Sequence, residues 1–168
     1  MWKNGDLYMG GFVNGMKHGA GRWESGNDYY EGAWKLNRPE GAGKIHTSSS
    51  EYQGDIKNGF KHGHGIELFS NGDRYSGLYA NGKPEGDGTY NWKNGAIYKG
   101  QFKNGIRYGY GSWAFGNESY EGDYVNDKRN GEGLYRWGGG SYYKGQFLDD
   151  LRHGFGEMFW GDKSMYRG

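Results

Sequence analysis

The sequence predicts an all-β chain: an elongated, twisted, single-layer antiparallel sheet of tandem β-hairpins with a concave groove. Three observations predict it. Tyr-x-Gly recurs at Tyr8, Tyr30, Tyr52, Tyr75, Tyr98, Tyr120, Tyr143 and Tyr166, at intervals of 22 or 23 residues. A fixed period of this length is the mark of a repeat architecture. Within each interval the residues alternate between apolar and polar, the period of a strand with one apolar face. Midway through each interval stands a pair drawn mostly from Asn, Asp and Gly, which is hairpin-turn chemistry.

The elements follow in order when each tyrosine is counted as position zero. Position two is glycine every time, from Gly10 to Gly168, and position four is Phe12, Trp34, Ile56, Tyr79, Phe102, Tyr124 or Phe147. Positions one, three and five carry mostly polar residues such as Lys99, Gln101 and Lys103. This is the first strand. The turn at positions six and seven reads Asn-Gly at Asn14, Asn58, Asn81 and Asn104, and elsewhere Leu36-Asn37, Asn126-Asp127 and Asp149-Asp150. Asn, Asp and Gly tolerate the positive φ that such a turn needs. A second strand has glycine at positions eleven and thirteen of every complete unit and larger residues at fifteen and seventeen. A short loop such as Gly138-Gly139-Gly140-Ser141-Tyr142 leads to the next unit. The boundaries are 8–29, 30–51, 52–74, 75–97, 98–119, 120–142 and 143–165, with partial repeats at 1–7 and 166–168, all in one array.

Composition fits this reading. The 168 residues include 36 glycines against 2 prolines, with 16 tyrosines, 8 phenylalanines and 7 tryptophans. Glycine without a Gly-X-Y period excludes collagen, and the aromatic load excludes a flexible linker. Glycine in a strand leaves bare backbone on the apolar face, and a ring from a neighbouring strand can cover it. Positions two, eleven and thirteen are expected to serve this way. Fourteen strands at about 4.8 Å each would extend roughly 65 Å.

These residues resemble the MORN repeat family (membrane occupation and recognition nexus), whose signature is Tyr-x-Gly-x-(Trp/Phe) followed by Gly-x-Gly. Tyr98-Lys99-Gly100-Gln101-Phe102 with Gly109-Tyr110-Gly111 meets it, and the match recurs seven times in register. Ile56 departs at position four, Glu67 at position fifteen, and Ser25 and Thr47 at position seventeen, which thins the apolar face of repeats one to three. Trp2 to Tyr8 matches Trp92 to Tyr98 in type, so an excerpt from a longer array, or ends sealed by a partner, is expected. Open strand edges invite end-to-end association or a homodimer.

Catalytic and cofactor chemistry is not expected. Gly-x-Gly binds phosphate at a strand-to-helix turn, and no helical period follows any of these pairs. His18, His62 and His153 share position ten with Glu40, Glu85, Tyr108 and Asn130, as a tolerant surface position would. No metal-ligand set converges. There is no cysteine, which favours a reducing, intracellular setting, and no apolar run approaches the roughly 20 residues of a bilayer span. A net charge of +1 gives no reason to expect nucleic acid.

The resemblance implies a non-catalytic scaffold that binds an extended or helical protein segment, in a cytoskeletal, ciliary or membrane-associated setting. The groove candidates are Tyr79, Trp92, Phe102, Trp113, Phe115, Tyr124, Trp137, Phe147 and Trp160, large rings able to anchor a partner. A second expectation is an acidic-phospholipid surface at Lys93, Lys99, Lys103 and Arg107, in a stretch without acids between Asp87 and Glu118. A third is a spacer or dimerisation rod for an effector domain.

Overall fold

The computed structural model describes residues 5–168. Trp2, Lys3 and Asn4, read above as the tail of a preceding repeat, lie outside the described residues. Among those described there are fifteen strands, one short 3₁₀ turn at Gly138–Gly140 and no α-helix. The chain divides into two compact units, Met1–Pro84 and Glu85–Gly168. The first holds β1 (Leu7–Val13), β2 (Met16–Ser25), β3 (Asp28–Lys35), β4 (Arg38–His46), β5 (Ser50–Lys57), β6 (Phe60–Phe69) and β7 (Arg74–Ala80). β8 (Lys83–Asn91) begins at the division. The second unit continues with β9 (Ile97–Lys103), β10 (Ile106–Phe115), β11 (Glu118–Val125), β12 (Lys128–Arg136), β13 (Tyr142–Leu148), β14 (Leu151–Phe159) and β15 (Met165–Arg167). Within each unit strand order follows the chain, pairing is antiparallel, and the sheet stays open. The all-β hairpin array is the observed fold.

Each repeat turns through a two-residue hairpin with both residues at positive φ, as Asn58 (52°) and Gly59 (83°) show. Leu36 adopts 49° in the same place, a conformation that costs a side chain without a local hydrogen bond. Beyond the turn the ladder slips. Gly54 pairs with Gly65 and Ile56 with Lys61, so one residue of β5 faces three of β6. The extra residues centre on the position-eleven glycine, which is left-handed: Gly63 at 56°, Gly109 at 66°, Gly154 at 57°. This corrects the sequence reading. Position eleven is a bulge rather than bare backbone beneath a ring. In repeats three, five, six and seven the position-three side chain receives the N–H beyond that bulge: Asp55 from His64, Gln101 from Tyr110, Asp123 from Glu132 and Gln146 from Phe155.

Position thirteen lies beneath a ring of the neighbouring strand as expected, whereas position two is covered by the tyrosine of its own strand. Gly100 pairs with Gly111, and Tyr98 covers both. A Cβ built on Gly111 would lie 2.6 Å from two Tyr98 ring carbons, and one on Gly65 would lie 2.6 Å from Cζ of Tyr52. The tyrosine hydroxyl donates to the carbonyl three residues on, at the bulge: Tyr52 to Asp55 (2.7 Å), Tyr98 to Gln101 (3.0 Å), Tyr120 to Asp123 (3.0 Å). Tyr52, Tyr75 and Tyr98 are fully buried. The position-four ring meets this tyrosine edge-on and also the tyrosine of the preceding repeat. Tyr124 stands 5.1 Å from Tyr98 and 5.2 Å from Tyr120, and Phe147 is 5.2 Å from Tyr120 and from Tyr143. Each contact adds about 0.5–1.5 kcal/mol beyond the area buried. The core is thus a ladder of perpendicular rings laid on glycine pairs.

Candidate functional site

Position nine opens the second strand and reads Lys17, Pro39, Lys61, Pro84, Arg107, Arg129 and Arg152. Its cross-strand partner is the position-four residue, since Arg107 pairs with Phe102 and Arg129 with Tyr124. Opposite residues share a face, so every cation at position nine is delivered onto the rings. Lys17 Nζ lies 4.7 Å from the Trp34 centroid and Lys61 Nζ 5.3 Å from Tyr52. In the second unit the Arg107 guanidinium is 5.0 Å from Tyr124, Arg129 is 5.1 Å from Tyr135 and 5.5 Å from Phe147, and Arg152 is 5.7 Å from Tyr143.

At five of these seven positions a side chain ties in the hairpin turn of the next repeat, in one of two ways. Where position seven is Asn or Asp, its side chain caps position nine. Asp127 accepts from both the backbone N–H of Arg107 (2.8 Å) and its Nε (3.1 Å), while the Asp127 carbonyl accepts from Nη2 (2.5 Å). Asp150 repeats this on Arg129 at 3.0 Å for all three bonds, and Asn37 takes the N–H of Lys17 at 2.8 Å. Where position seven is glycine and position nine is proline, there is no N–H to cap. There the following glutamate acts instead: Glu40 accepts from Asn58 N (2.9 Å) and Glu85 from Asn104 N (2.8 Å). The sequence reading of Glu40 and Glu85 as tolerant surface residues is corrected by these bonds.

In the second unit this arrangement rims an open cavity of about 310 Å³. Arg107, Arg129, Trp113 and Tyr135 form its sides, and Tyr120 and Tyr124 its floor. Burial pushes the Tyr124 phenol up to about 12 even though the two guanidiniums pull the other way. Tyr135 also rises to about 12, through burial and then its hydrogen bond to Glu118. All the phenols of the floor therefore stay neutral at ordinary pH. Repeat three treats the same position differently. Glu67 occupies position fifteen, where the second unit has Trp113 and Tyr135. It is buried, ion-paired to Lys61, and accepts from Tyr79 Oη (2.8 Å) and Ser50 Oγ (2.5 Å). Glu67 is thus a buried partner for a cation as well as a missing ring.

Of the nine candidate rings, Tyr79, Phe102, Tyr124 and Phe147 are buried as the position-four rungs of the ladder, with Tyr124 also in the cavity floor. Trp92, Trp113 and Trp137 are half-buried, while Phe115 and Trp160 are exposed. Trp92 and Trp137 lie against Tyr90 and Tyr135, at 4.7 and 4.6 Å between centroids. The four cations grouped by sequence do not share a face. Lys99 and Lys103 are exposed, and Lys103 lies over Tyr108, whereas Arg107 stands over the core rings. Position nine itself escaped the sequence reading, although its spacing carried the signal. Among the described residues no group of three His, Asp or Glu side chains could hold a metal, and no helix is long and apolar enough to cross a membrane.

Comparison with known proteins gives a consistent result. The family model described as MORN repeat matches residues 8–28, 30–49, 52–74, 75–97, 98–119, 120–142 and 143–165. The chain is 34% identical over 76 residues to MORN repeat-containing protein 3 of Xenopus laevis, which covers 40% of this chain and 32% of that protein. It is 36% identical over 72 residues to Alsin of Homo sapiens, covering 39% of this chain and 4% of that protein. The chain therefore spans about a third or less of these relatives. Among solved structures, the SAS-4 (dCPAP) TCP domain of Drosophila melanogaster, in complex with a proline-rich motif of Ana2 (dSTIL), aligns with a TM-score of 0.52. That match has 10% identity and covers 89% of this chain and 83% of that one, a likeness of fold alone.

Proposed function

Because the chain belongs to the MORN repeat family, we propose that it is a non-catalytic interaction module whose Glu85–Gly168 unit binds a segment of a partner protein on the ring face. One observation carries this reading: Arg107 and Arg129 are held by Asp127 and Asp150 at the rim of an open cavity walled by Trp113 and Tyr135. Side chains already fixed before binding lose little further freedom on association, and half-buried aromatics beside arginines are the usual anchors of an interface.

Random peptides displayed on phage and selected on the folded chain test the proposal. Enriched peptides should shift the indole N–H resonances of Trp113 and Trp137 and leave the amide of the outward-facing Lys99 in place. Selected peptides that shift Lys99 and neither indole would overturn it.

A further inference from the structure

Resting on that reading, we propose that the segment bound by the Glu85–Gly168 unit is extended, in a polyproline II conformation, and carries a carboxylate at every third residue, matched one for one to Arg107, Arg129 and Arg152. The first support is spacing. These arginines stand on β10, β12 and β14, with β11 and β13 between them. Neighbouring strands lie about 4.8 Å apart, so successive arginines are separated by about 9.6 Å. A polyproline II chain advances about 3.1 Å per residue and returns to the same face every third residue, after about 9.3 Å. A β-strand returns to one face every second residue, after about 6.7 Å, and falls out of register. A helix about 10 Å across does not enter a cavity of about 310 Å³.

The second support is a count of donors. A guanidinium has five N–H groups in a fixed fork. Arg107 spends its Nε–H and one Nη2–H on Asp127, and Arg129 does the same on Asp150. In Arg129 the edge formed by Nη1 and the second Nη2–H remains, with two parallel donors matched to a carboxylate, while in Arg107 the guanidinium also meets the Tyr124 phenol, which an incoming carboxylate would replace. Among the described residues, the Arg152 guanidinium lies 3.8 Å from the Met158 sulfur and over the Tyr143 ring, with no carboxylate paired to it. It lines a second open cavity, of about 400 Å³, with Tyr143 and Met158.

The local pairing of charges is the third. Three arginines face Asp127, Asp150 and the Glu118 carboxylate held on Tyr135, so a ligand carboxylate is drawn by the open guanidinium edges rather than by net charge. The Asp150 carboxylate beside the first cavity has its Oδ1 occupied by two donors from Arg129. Trp113, half-buried in the cavity wall, offers a flat surface for an intervening residue, the way proline-rich segments are commonly held.

Labelled synthetic peptides measured by fluorescence anisotropy decide the matter. A Glu-Pro-Pro repeat of about twelve residues should bind about tenfold or more tighter than its Gln-Pro-Pro counterpart and than an isomer with all its glutamates adjacent. The Arg107→Gln, Arg129→Gln variant should bind the glutamate peptide no better than the glutamine one, while it keeps a cooperative melt and native indole resonances. Equal binding of the three peptides, absence of binding, or affinity unchanged in the variant overturns the proposal. If neutral peptides bind as tightly as the glutamate peptide and shift Trp113 and Trp137, the three-residue carboxylate rule fails and the ring-face reading survives. If phage-selected peptides leave both indoles unmoved, the ring-face reading itself fails.

Discussion

Repeat three and repeat five begin from the same backbone, and they treat the same cation in opposite ways. In the first unit Lys61 sits over Tyr52 and is drawn down onto Glu67, with Tyr79 and Ser50 completing the carboxylate's shell. In the second, Arg107 sits over Tyr98 and Tyr124 and is drawn sideways onto Asp127 in the turn of the next repeat. Tyr52 and Tyr98 are equally buried, and both repeats carry the same bulge. Position fifteen differs, Glu67 against Trp113, and so does position seven of the following repeat, Gly82 against Asp127. With a carboxylate at position fifteen the cation pairs within the core; with an aromatic ring there it pairs with the turn, the two side chains being about equally exposed at 20% and 24%. The ladder is therefore a neutral frame, and the residues at position fifteen and in the next turn decide where its cation is paired.

The largest expected effect ignores that difference. Burial raises Tyr30 and Tyr52 in the first unit, and Tyr124 and Tyr135 in the second, from 10 to about 12. Below pH 10 these phenols are neutral folded or unfolded, and their contribution is fully present. Between pH 10 and 12 only the unfolded chain loses the protons, so stability falls as pH rises, by on the order of 2 kcal/mol per tyrosine. Several together approach the whole stability of an ordinary domain. Tyrosinate absorbance and circular dichroism should change together above pH 10, and both units should unfold. Early, gradual ionisation without loss of structure would show that these rings are not sealed.

Next comes removal of a rung. Tyr52→Ala and Tyr120→Ala uncover Gly65 and Gly133 and should each cost about 3–5 kcal/mol in urea denaturation. The comparison predicts similar losses, because the ladder beneath the two kinds of site is the same. A loss below about 1 kcal/mol in only one of them would mean that the frame is not shared.

Much of that frame was legible in the sequence. The tyrosine and glycine spacing gave the hairpins, the Asn-Gly pairs gave the turns, and the apolar face followed from alternation. Other features depend on contacts between residues about 20 apart. Asp127 reaches back to Arg107, and Glu40 reaches forward to Asn58. No local pattern distinguishes such residues from turn formers or solvated charges. Position eleven was misread because glycine is used there for its left-handed backbone, while at positions two and thirteen it is used for its missing side chain. Letters alone do not separate these causes. The position-four rings were nominated as anchors because they are large and regular, yet regularity across repeats marked the core.

A smaller effect sharpens the contrast directly. Lys61→Ala leaves the buried Glu67 without its cation and should cost about 3 kcal/mol. Arg107→Ala leaves Asp127 in contact with water, since that carboxylate is nearly half exposed, and should cost about 1 kcal/mol. Thermal melts compare the two. Equal losses would place Arg107 in the structural class of Lys61 and leave it unsuited to a partner.

The smallest expected change in stability is at Asp127. It sits at φ 66°, where glycine is more comfortable, and other repeats place Gly59 or Gly82 at this point of the turn. Asp127→Gly relieves that backbone by about 1 kcal/mol and loses the cap on the Arg107 N–H, worth about as much. The two nearly cancel, so the melting temperature should hardly move. Its role is instead to position: without the carboxylate, Arg107 regains rotamer freedom above Tyr124 and its free edge is no longer aimed. Affinity for the Glu-Pro-Pro peptide should therefore fall about tenfold, on the scale of a lost charged hydrogen bond. Asp127→Asn keeps the acceptor and should restore most of it. A turn residue that merely shaped the hairpin would move stability and affinity together. Separation of the two readouts, with rescue by asparagine, is what a site held open by its neighbouring repeat requires.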